Sequence, residues 1–541
     1  MKQPNIVLIL NDDMGYSDIG CYGGEILTPQ IDKLAEGGLR FTQFYNTARC
    51  SPSRASLLTG LHPHQCGIGV LTDDTGPEGY EDNLNRNCAT MAEVLKLGGY
   101  RTYMSGKWHM AKELYEPDDA WPNQRGFDEF YGTIPGAGSY YYPKSLIRNN
   151  EHIEREAVNN DAFYYTDEIS NNAAGFIQKH HQTEGERPFF LYLSYTAPHW
   201  PLHARDQDVR RYRGRFDAGW DVLRAERIGR MRSMGIIDPR WALSARDPGQ
   251  PSWNDATDKE WQARRMEIYA AQITVMDEGI GRVVDALEST GRLDNTVIMF
   301  LSDNGGCAEE LIFGMMEGKS EPPHYRHETK DGEPVKFGNS PAIEPGPPDT
   351  YCSYGVPWAN LSNTPFRMYK HWTHEGGIAT PFIVSWPEGL RRAPGGLFHG
   401  PSQLPDVMAT VLDITSVEYP KQLAGHNIIP VEGVSFLPVL KNGEWNRGPL
   451  YWEHEGNAAV RDGKWKLVKN FTAATSATPG YDDKKTRGQW ELYDMEQDRS
   501  EQHDIAAEYP EIVERLSSAY DVWAARCGVR DRQKLLDSGG R

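Results

Sequence analysis

The residues best suited to chemistry stand in one short segment, which runs from Cys50 to Gly60. Pro52 suits the first turn of a helix, because its missing N–H costs nothing there, and Gly60 suits the helix end. Cys50 would then lie at a helix N-terminus, where free N–H groups and the positive end of the helix dipole favour an anion. Arg54 shares that helix face and could hold an oxyanion through two parallel hydrogen bonds. The alternative is a buried structural cysteine with a surface arginine on an ordinary amphipathic helix.

Carboxylate and amide side chains follow two apolar runs that lie far apart in the chain. Asp12 and Asp13 come just after the first run, and Asp303 and Asn304 come just after a much later one. Three carboxylates and an amide oxygen make an oxygen-only ligand set, which suits Ca²⁺ or Mg²⁺ and poorly suits zinc. An adjacent aspartate pair by itself is more often part of a solvated loop or a helix cap than of a metal site.

Four basic side chains also stand at the ends of apolar runs or beside glycines. Lys107 and His109 close one run, and His199 follows another. Lys370 lies shortly before the pair Gly376-Gly377. A chain of net charge −19 that handles an anion must concentrate its positive charge locally, and these residues are the candidates for that concentration.

These segments, taken in the order in which they occur along the chain, resemble the signature of the type I sulfatases. The resemblance is in particular to the soluble bacterial arylsulfatases of the alkaline phosphatase superfamily. The resemblance rests on C-x-P-x-R and L-T-G within residues 50–60, on the D-D-x-G and S-D-N-G pair, and on G-K-W-H and T-A-P-H. It implies that a formylglycine-generating maturation enzyme converts Cys50 to formylglycine (3-oxoalanine), whose hydrate is the nucleophile. It also implies one Ca²⁺ per chain, bound by residue 50 (Cys50), Asp12, Asp13, Asp303 and Asn304.

The same resemblance implies roles for the basic side chains. Arg54, Lys107 and Lys370 would neutralise the oxygens of the transferring sulfate group. His199 would donate a proton to the leaving oxygen, and His109 would remove the proton of the second hydroxyl. The predicted activity is hydrolysis of a small sulfate ester to an alcohol or phenol and inorganic sulfate, with aryl, alkyl and sugar esters all open.

Two other functions compete with this prediction. Phosphonate monoester and phosphodiester hydrolases of the same superfamily can share the C-x-P-x-R motif and the aldehyde. A catalytically silent protein that only binds sulfated ligands is the second alternative. The complete set of charged residues argues against the silent binder, because binding alone does not need Cys50 in that motif.

Short apolar runs alternate with helical patterns, which is typical of an α/β fold with a large, mostly parallel sheet flanked by helices. The resemblance implies the same architecture, the alkaline phosphatase-like sulfatase fold. In such sheets the ligand lies beyond the carboxyl ends of the strands, where the residues named above stand. The predicted strands are residues 5–10, 101–105, 189–195, 296–302 and 382–386. The predicted helices are residues 29–36, 91–97, 167–180, 261–289 and 403–412.

Two domains are predicted by the chain length and by a change in the sequence pattern, from alternating strands and helices to short strands with turns. Residues 1–440 would form the catalytic domain, interrupted by a mostly helical insertion at about 204–259 and a loop insertion at about 307–363. Both insertions are interpreted as walls of the substrate pocket, with surface decoration as the alternative. Residues 441–541 would form a smaller C-terminal subdomain, with a short antiparallel sheet and a closing helix at 512–526.

Composition excludes several partners and predicts a location. The 541 residues are 39% hydrophobic and 25% charged, and the charge of −19 argues against nucleic acids and anionic membrane surfaces. The first apolar run is too short for a signal sequence and no run approaches a membrane span, so we expect a cytoplasmic protein. Seven scattered cysteines, an odd number, predict free thiols.

Overall fold

The computed structural model describes residues 3–72, 76–322, 324–471 and 487–537. A large mixed sheet lies at its centre. In chain order, the strands are β1 (Asn5–Asn11), β2 (Leu39–Tyr45), β3 (Arg101–Lys107), β4 (Glu129–Thr133), β5 (Leu146–Arg148), β6 (Glu151–His152), β7 (Phe189–Ser194), β8 (Thr296–Ser302), β9 (Lys336–Phe337), β10 (Thr350–Tyr351), β11 (Ala379–Ser385), β12 (Gly396–Phe398), β13 (Ser402–Gln403), β14 (Gln422–Leu423), β15 (His426–Asn427), β16 (Leu450–His454), β17 (Asn457–Asp462), β18 (Trp465–Lys469) and β19 (Glu491–Asp494).

Helices cover both faces of the sheet and close the C-terminal region. They are α1 (Pro29–Gly37), α2 (Cys50–Thr59), α3 (Met91–Leu97), α4 (Arg155–Val158), α5 (Tyr165–Thr183), α6 (Asp206–Val209), α7 (Gly219–Ser233), α8 (Lys259–Ser289), α9 (Val356–Ser362), α10 (Glu375–Ile378), α11 (Pro405–Thr415), α12 (Leu437–Leu440), α13 (Pro510–Cys527) and α14 (Arg532–Asp537). Short 3₁₀ turns cover Gly20–Tyr22, Pro63–Cys66, Pro122–Arg125 and Arg210–Tyr212. No helix of the described residues is long and apolar enough to cross a membrane.

The large sheet has the order β12, β2, β11, β8, β1, β7, β3, β4, β5, β6, with β13 beside β2. Its central strands β8, β1, β7, β3 and β4 are parallel, and β11 runs antiparallel between β2 and β8. Every residue of β1 is buried, as expected of a parallel strand that is covered on both faces. Val7 and Ile9 face the core under α1, α5 and α8, whereas Ile6, Leu8 and Leu10 face the core under α2, α3 and α11.

The predicted α/β architecture is confirmed, and the predicted strands and helices are all present with small shifts at their ends. The sequence analysis missed β2, which pairs antiparallel with β11 and parallel with the short strands β12 and β13. The insertion at 204–259 is helical only up to Ser233, so "mostly helical" describes its first half alone. The insertion at 307–363 is not all loop, because its end folds into α9, where Pro357 occupies the first turn.

The C-terminal region forms the predicted antiparallel sheet in the order β16, β17, β18, β19. The hairpin between β17 and β18 turns at Gly463, which has a φ of 58°. One face of this sheet, with Val460 and Leu467, packs against Trp523 of α13. The opposite face, with Trp452, joins the core of the large sheet. We therefore keep 1–440 and 441–541 as a proposed division into two units with a shared core. All seven cysteines are free and buried, as predicted.

A buried ion cluster ties the two units together. Glu375 at the start of α10 accepts hydrogen bonds from Lys466 of β18 (2.9 Å) and from Arg499 (2.7 Å). These three side chains are fully buried, and the Tyr45 hydroxyl of β2 donates to the same carboxylate at 3.1 Å. Burial alone would favour the neutral acid, but Lys466 and Arg499 overcome it and lower the pKa of Glu375 to about 2.

Replacing Glu375 with glutamine should destabilise the protein, because buried Arg499 loses its carboxylate partner and buried Lys466 is left with Glu501 alone, at 2.7 Å. We expect a loss of about 3 kcal/mol in the free energy of unfolding at pH 7, measured by denaturant titration. Because the pKa is depressed in the folded state, the stabilisation is present above the unfolded pKa of about 4.3 and is lost as pH falls towards the folded value. The difference between wild type and variant should therefore stay constant from pH 7 to 5 and shrink below about pH 4.

The matched control is Glu444→Gln, since Glu444 is exposed and should leave the unfolding free energy unchanged. Equal stability of wild type and Glu375→Gln at pH 7 would show that the cluster does not stabilise the contact between the units.

Candidate active site

The carboxyl ends of the central parallel strands bring the predicted residues together. Asp12 and Asp13 follow β1, Asp303 follows its parallel neighbour β8, and Lys107 ends β3 on the other side of β7. Gly305 lets a further segment approach, since its N–H donates to Gly377 O at 3.0 Å and a Cβ on it would stand 1.8 Å from Gly376 O. The strand order therefore explains why residues from distant segments of the chain meet at one edge of the sheet.

The three carboxylates form a single buried cluster with Arg54. The Arg54 guanidinium donates to Asp303 Oδ2 from Nη2 (2.7 Å) and from Nε (3.1 Å), and its Nη2 lies 3.7 Å from Asp12 Oδ2. The Asp13 backbone N–H donates to Asp303 Oδ1 at 3.3 Å. Lys107 Nζ donates to Asp12 Oδ2. All of these side chains are buried, so the cluster is a concentration of charge away from solvent.

Two oxygen atoms of the cluster lack a donor. Asp12 Oδ1 and Asn304 Oδ1 are buried, and neither finds a hydrogen-bond partner in the described chain. Burial, followed by the charge of the neighbouring Asp12, raises the pKa of Asp303 to about 7 even though Arg54 and Lys107 act in the opposite direction. Orphaned carboxylate and amide oxygens in such a place fit a hard cation, as the sequence predicted.

Cys50 is the first residue of α2, and its helix ends at Gly60 in the left-handed conformation, as the sequence predicted. Only 3% of Cys50 is exposed. Burial raises the pKa of its thiol, even though Lys107 and Lys370 act in the opposite direction. A neutral, buried thiol is a weak nucleophile, so the unmodified side chain is poorly suited to attack an ester.

Arg54 is more constrained than the sequence suggested. Besides its two bonds to Asp303, its Nη1 donates to Lys107 O (3.1 Å) and to Ser194 Oγ (2.5 Å). Arg54 therefore holds the carboxylate cluster together, in addition to any contact with an anion. Ser194, which the sequence analysis missed, ends β7 and also donates to Lys107 O at 2.7 Å. Its position as the last residue of a buried strand was the only signal for it.

Lys370 and His199 face Asp13 from the other side. Lys370 Nζ lies 2.9 Å from Asp13 Oδ1 and 3.3 Å from His199 Nε2, and His199 Nε2 lies 3.3 Å from Asp13 Oδ2. Burial opposes the charge on Lys370, but Asp13 holds its pKa well above the ordinary value. Burial lowers the pKa of His199 to about 3 despite the attraction of Asp13, so this imidazole is neutral at pH 7.

His109 lies in a strained loop beside Cys50. Its φ is 57°, and its backbone carbonyl accepts a hydrogen bond from Ser51 Oγ of α2 at 2.7 Å. Burial, followed by the charge of Lys107, lowers the pKa of His109 well below the ordinary value. Its Nδ1 is buried and has no hydrogen-bond partner among the described residues. A neutral imidazole with a free nitrogen is able to accept a proton.

The insertion at 307–363 contributes Glu309, which the sequence analysis also missed. Glu309 accepts hydrogen bonds from Arg49 Nη1 (2.8 Å) and from the indole Nε1 of Trp200 (2.8 Å), and it lies 3.9 Å from Lys370 Nζ. Burial would raise the pKa of Glu309, but Lys370 and Arg49 lower it to about 2. This contact supports the interpretation of the insertion as a wall of the site.

A second cluster of possible ligands fits a metal less well. His371 Nδ1 lies 3.4 Å from Glu455 Oε2, near His454. However, Asn457 Nδ2 already donates to His371 Nε2 at 3.2 Å, and Arg532 Nη2 lies 3.6 Å from Glu455 Oε1. A cation would compete with these contacts, so we assign no metal here.

Comparison with known proteins identifies the family. The sequence profile of the sulfatase family matches residues 4–417. An uncharacterized sulfatase of Schizosaccharomyces pombe is 32% identical over 98% of this chain and 94% of its own length. An arylsulfatase of Klebsiella aerogenes is 34% identical over 81% of this chain and 92% of its own length.

Solved structures agree with this result at the level of the fold. The crystal structure of Ps i-CgsB has a TM-score of 0.66 at 24% identity and covers 98% of this chain and 94% of its own. A phosphonate monoester hydrolase of Agrobacterium radiobacter has a TM-score of 0.55 at 19% identity, with 98% and 97% of the two chains covered. The profile match and the relatives above 30% identity show more than the fold: this chain belongs to the sulfatase family and is a sulfuric ester hydrolase.

Proposed function

We propose that this sulfatase hydrolyses small sulfate esters of the aryl sulfate type, with a formylglycine made from Cys50 and one bound Ca²⁺. The observation that carries the proposal is the position of Cys50 at the start of α2, buried beside the carboxylate cluster. The charges of Lys107 and Lys370 act on this side chain and favour its anion. A separate maturation enzyme is part of the proposal. Because Cys50 is only 3% exposed, that enzyme must act before this segment is buried.

The residues that would hold Ca²⁺ are those with surplus oxygen atoms. Asp12 Oδ1 and Asn304 Oδ1 are the orphaned atoms, and the carboxylates of Asp13 and Asp303 lie beside them. When bound, the ion supplies positive charge for the sulfate oxygens and for the hydroxyl that attacks sulfur. The formylglycine hydrate supplies that hydroxyl, together with a second one that allows sulfate to leave.

The side chains of the chain itself bind the ester and move protons. Lys107 and Lys370 are buried cations that can neutralise the oxygens of the transferring group, because little water screens them. His109 is neutral and can accept a proton beside residue 50. His199 is neutral as well, so to serve as the acid it must take up a proton before the bond to the leaving oxygen breaks, and the negative charge of the bound ester favours that uptake by raising its pKa.

The alternative activity is hydrolysis of phosphonate monoesters or phosphodiesters, and its support is a likeness of fold. A chromogenic aryl sulfate and the matching phosphate diester distinguish the two, with protein produced alongside a formylglycine-generating enzyme. We expect a higher kcat/KM for the sulfate. A higher kcat/KM for the diester would support the alternative activity instead. No turnover of either compound would support a catalytically silent protein that only binds sulfated ligands.

Cys50→Ala should abolish turnover of the aryl sulfate, because it removes the source of the nucleophile. In wild type, mass spectrometry of the peptide that contains residue 50 should show the loss of one sulfur and two hydrogens and the gain of one oxygen, which is the change from cysteine to formylglycine. Cys21→Ala serves as the control, since Cys21 is also buried but lies outside the site. Substantial activity of Cys50→Ala would contradict the proposed nucleophile.

Asn304→Ala should weaken Ca²⁺ binding by about 10- to 100-fold, because it removes one of the orphaned oxygens. The measurement is calorimetric titration of chelator-treated protein with Ca²⁺, supported by the rise in Tm that the ion produces. Asn254→Ala is the control at an exposed position. If Asn304→Ala and Asn254→Ala bind Ca²⁺ equally well, the ion does not use this amide.

Gly136→Ala should slow turnover by displacing His109. A Cβ at Gly136 would lie 2.3 Å from the His109 ring, and a displacement of about 1 Å in a site of this kind costs roughly 100-fold in rate. Gly138→Ala is a matched control in the same loop, because a Cβ there meets nothing within 4 Å. The readout is kcat for the aryl sulfate, with unchanged Tm as the check on folding. Equal kcat values for the two variants would argue against a role for His109.

A further inference from the structure

An indole side chain, that of Trp200, packs beside the ring of His199. The His199 and Trp200 ring centroids are 4.4 Å apart, with an angle of 55° between the ring planes. His199 is only 3% exposed, whereas Trp200 is partly exposed. The surface that solvent or a ligand meets beside His199 is therefore the indole of Trp200.

Contacts from three directions fix this indole in place. Its Nε1 donates to Glu309 Oε2 at 2.8 Å, and the same carboxylate is held by Arg49, the residue before Cys50. Its ring also packs near His324, with centroids 5.7 Å apart, and Tyr351, with centroids 5.8 Å apart. A side chain held in this way offers a preformed flat surface, which costs little entropy when a ligand binds.

We propose that Trp200 is a specificity-determining residue: its indole forms a wall of the leaving-group subsite and gives this sulfatase a preference for esters whose leaving group carries a neutral flat ring. The inference rests on the proposed function, in which His199 donates a proton to the leaving oxygen.

The location of the leaving group follows from that proton transfer. The leaving oxygen must come within hydrogen-bond distance of His199 Nε2, so the first atoms of the leaving group lie beside the indole of Trp200. A ring there can pack on the indole in an offset or edge-to-face arrangement, which an unbranched alkyl chain cannot do. Such contacts change kcat/KM by roughly 3- to 10-fold.

The charges around Trp200 favour a neutral ring. Two cations lie on this side of the site: Arg49 is paired with Glu309 at 2.8 Å, and Lys370 is paired with Asp13 at 2.9 Å. Glu309 remains ionised, since Lys370 and Arg49 lower its pKa to about 2 against the effect of burial. The arginine is thus already neutralised, and an additional carboxylate on the leaving group would find Glu309 beside it.

The test compares benzyl sulfate with hexyl sulfate, because both release a primary alcohol and differ mainly in the ring. We expect Trp200→Leu to lower kcat/KM for benzyl sulfate about 3- to 10-fold and to change that for hexyl sulfate less than twofold. Trp200→Phe keeps a ring and should retain most of the preference, which also covers the case in which the leucine variant folds poorly. Trp261→Leu is the matched control, since Trp261 is a partly buried indole that donates to Ile343 O, outside the site.

Two results would overturn the inference while leaving the proposed function intact. Equal losses for both esters in Trp200→Leu would mean that Trp200 only supports His199. A wild-type preference for 4-carboxybenzyl sulfate over benzyl sulfate would mean that the subsite takes an anionic ring. By contrast, failure of wild type to hydrolyse any of these sulfates would contradict the proposed function itself.

Discussion

Three carboxylates lie within one buried space in this protein, and the rest of the site depends on how their charge is balanced. Asp12, Asp13 and Asp303 would repel one another strongly at low dielectric if they were alone. Arg54 neutralises Asp303, and Lys370 neutralises Asp13, each at 3.0 Å or less. Two oxygens nearby, Asp12 Oδ1 and Asn304 Oδ1, find no hydrogen-bond donor in the described chain. The arrangement thus provides charged groups for a sulfate ester and two oxygen atoms that fit a cation.

The same balance explains how an acidic chain can handle an anion. The net charge is −19, yet the basic residues of the site are buried among paired carboxylates, where solvent does not screen them. An incoming sulfate group would draw these cations away from their carboxylate partners. Histidines that are neutral without substrate, such as His199, would then become able to carry a proton. In the proposed function, charge exchange of this kind would couple binding of the ester to protonation of His199.

Much of this could be predicted from the sequence, because the strands of the sheet are continuous apolar runs and their ends carry the charged residues. Asp12 and Lys107 were placed correctly for that reason. Ser194 and Glu309 could not be found in the same way. A serine that ends a strand has no distinctive pattern, and Glu309 lies in a loop whose path depends on contacts with Arg49 and Trp200. The neutral state of His199 is likewise a result of burial, which no local pattern reveals.

The buried cluster around Glu375 has a consequence for the order of events during synthesis. Glu375 lies five positions after Lys370, and its two charged partners are 91 and 124 residues further along the chain. The ribosome releases those partners late, so a nascent chain carries an unpaired glutamate next to the future site until the C-terminal sheet emerges. The segment around Glu375 therefore completes its packing only after translation is nearly complete. The C-terminal unit is, in this sense, the last part to pack against the rest of the chain.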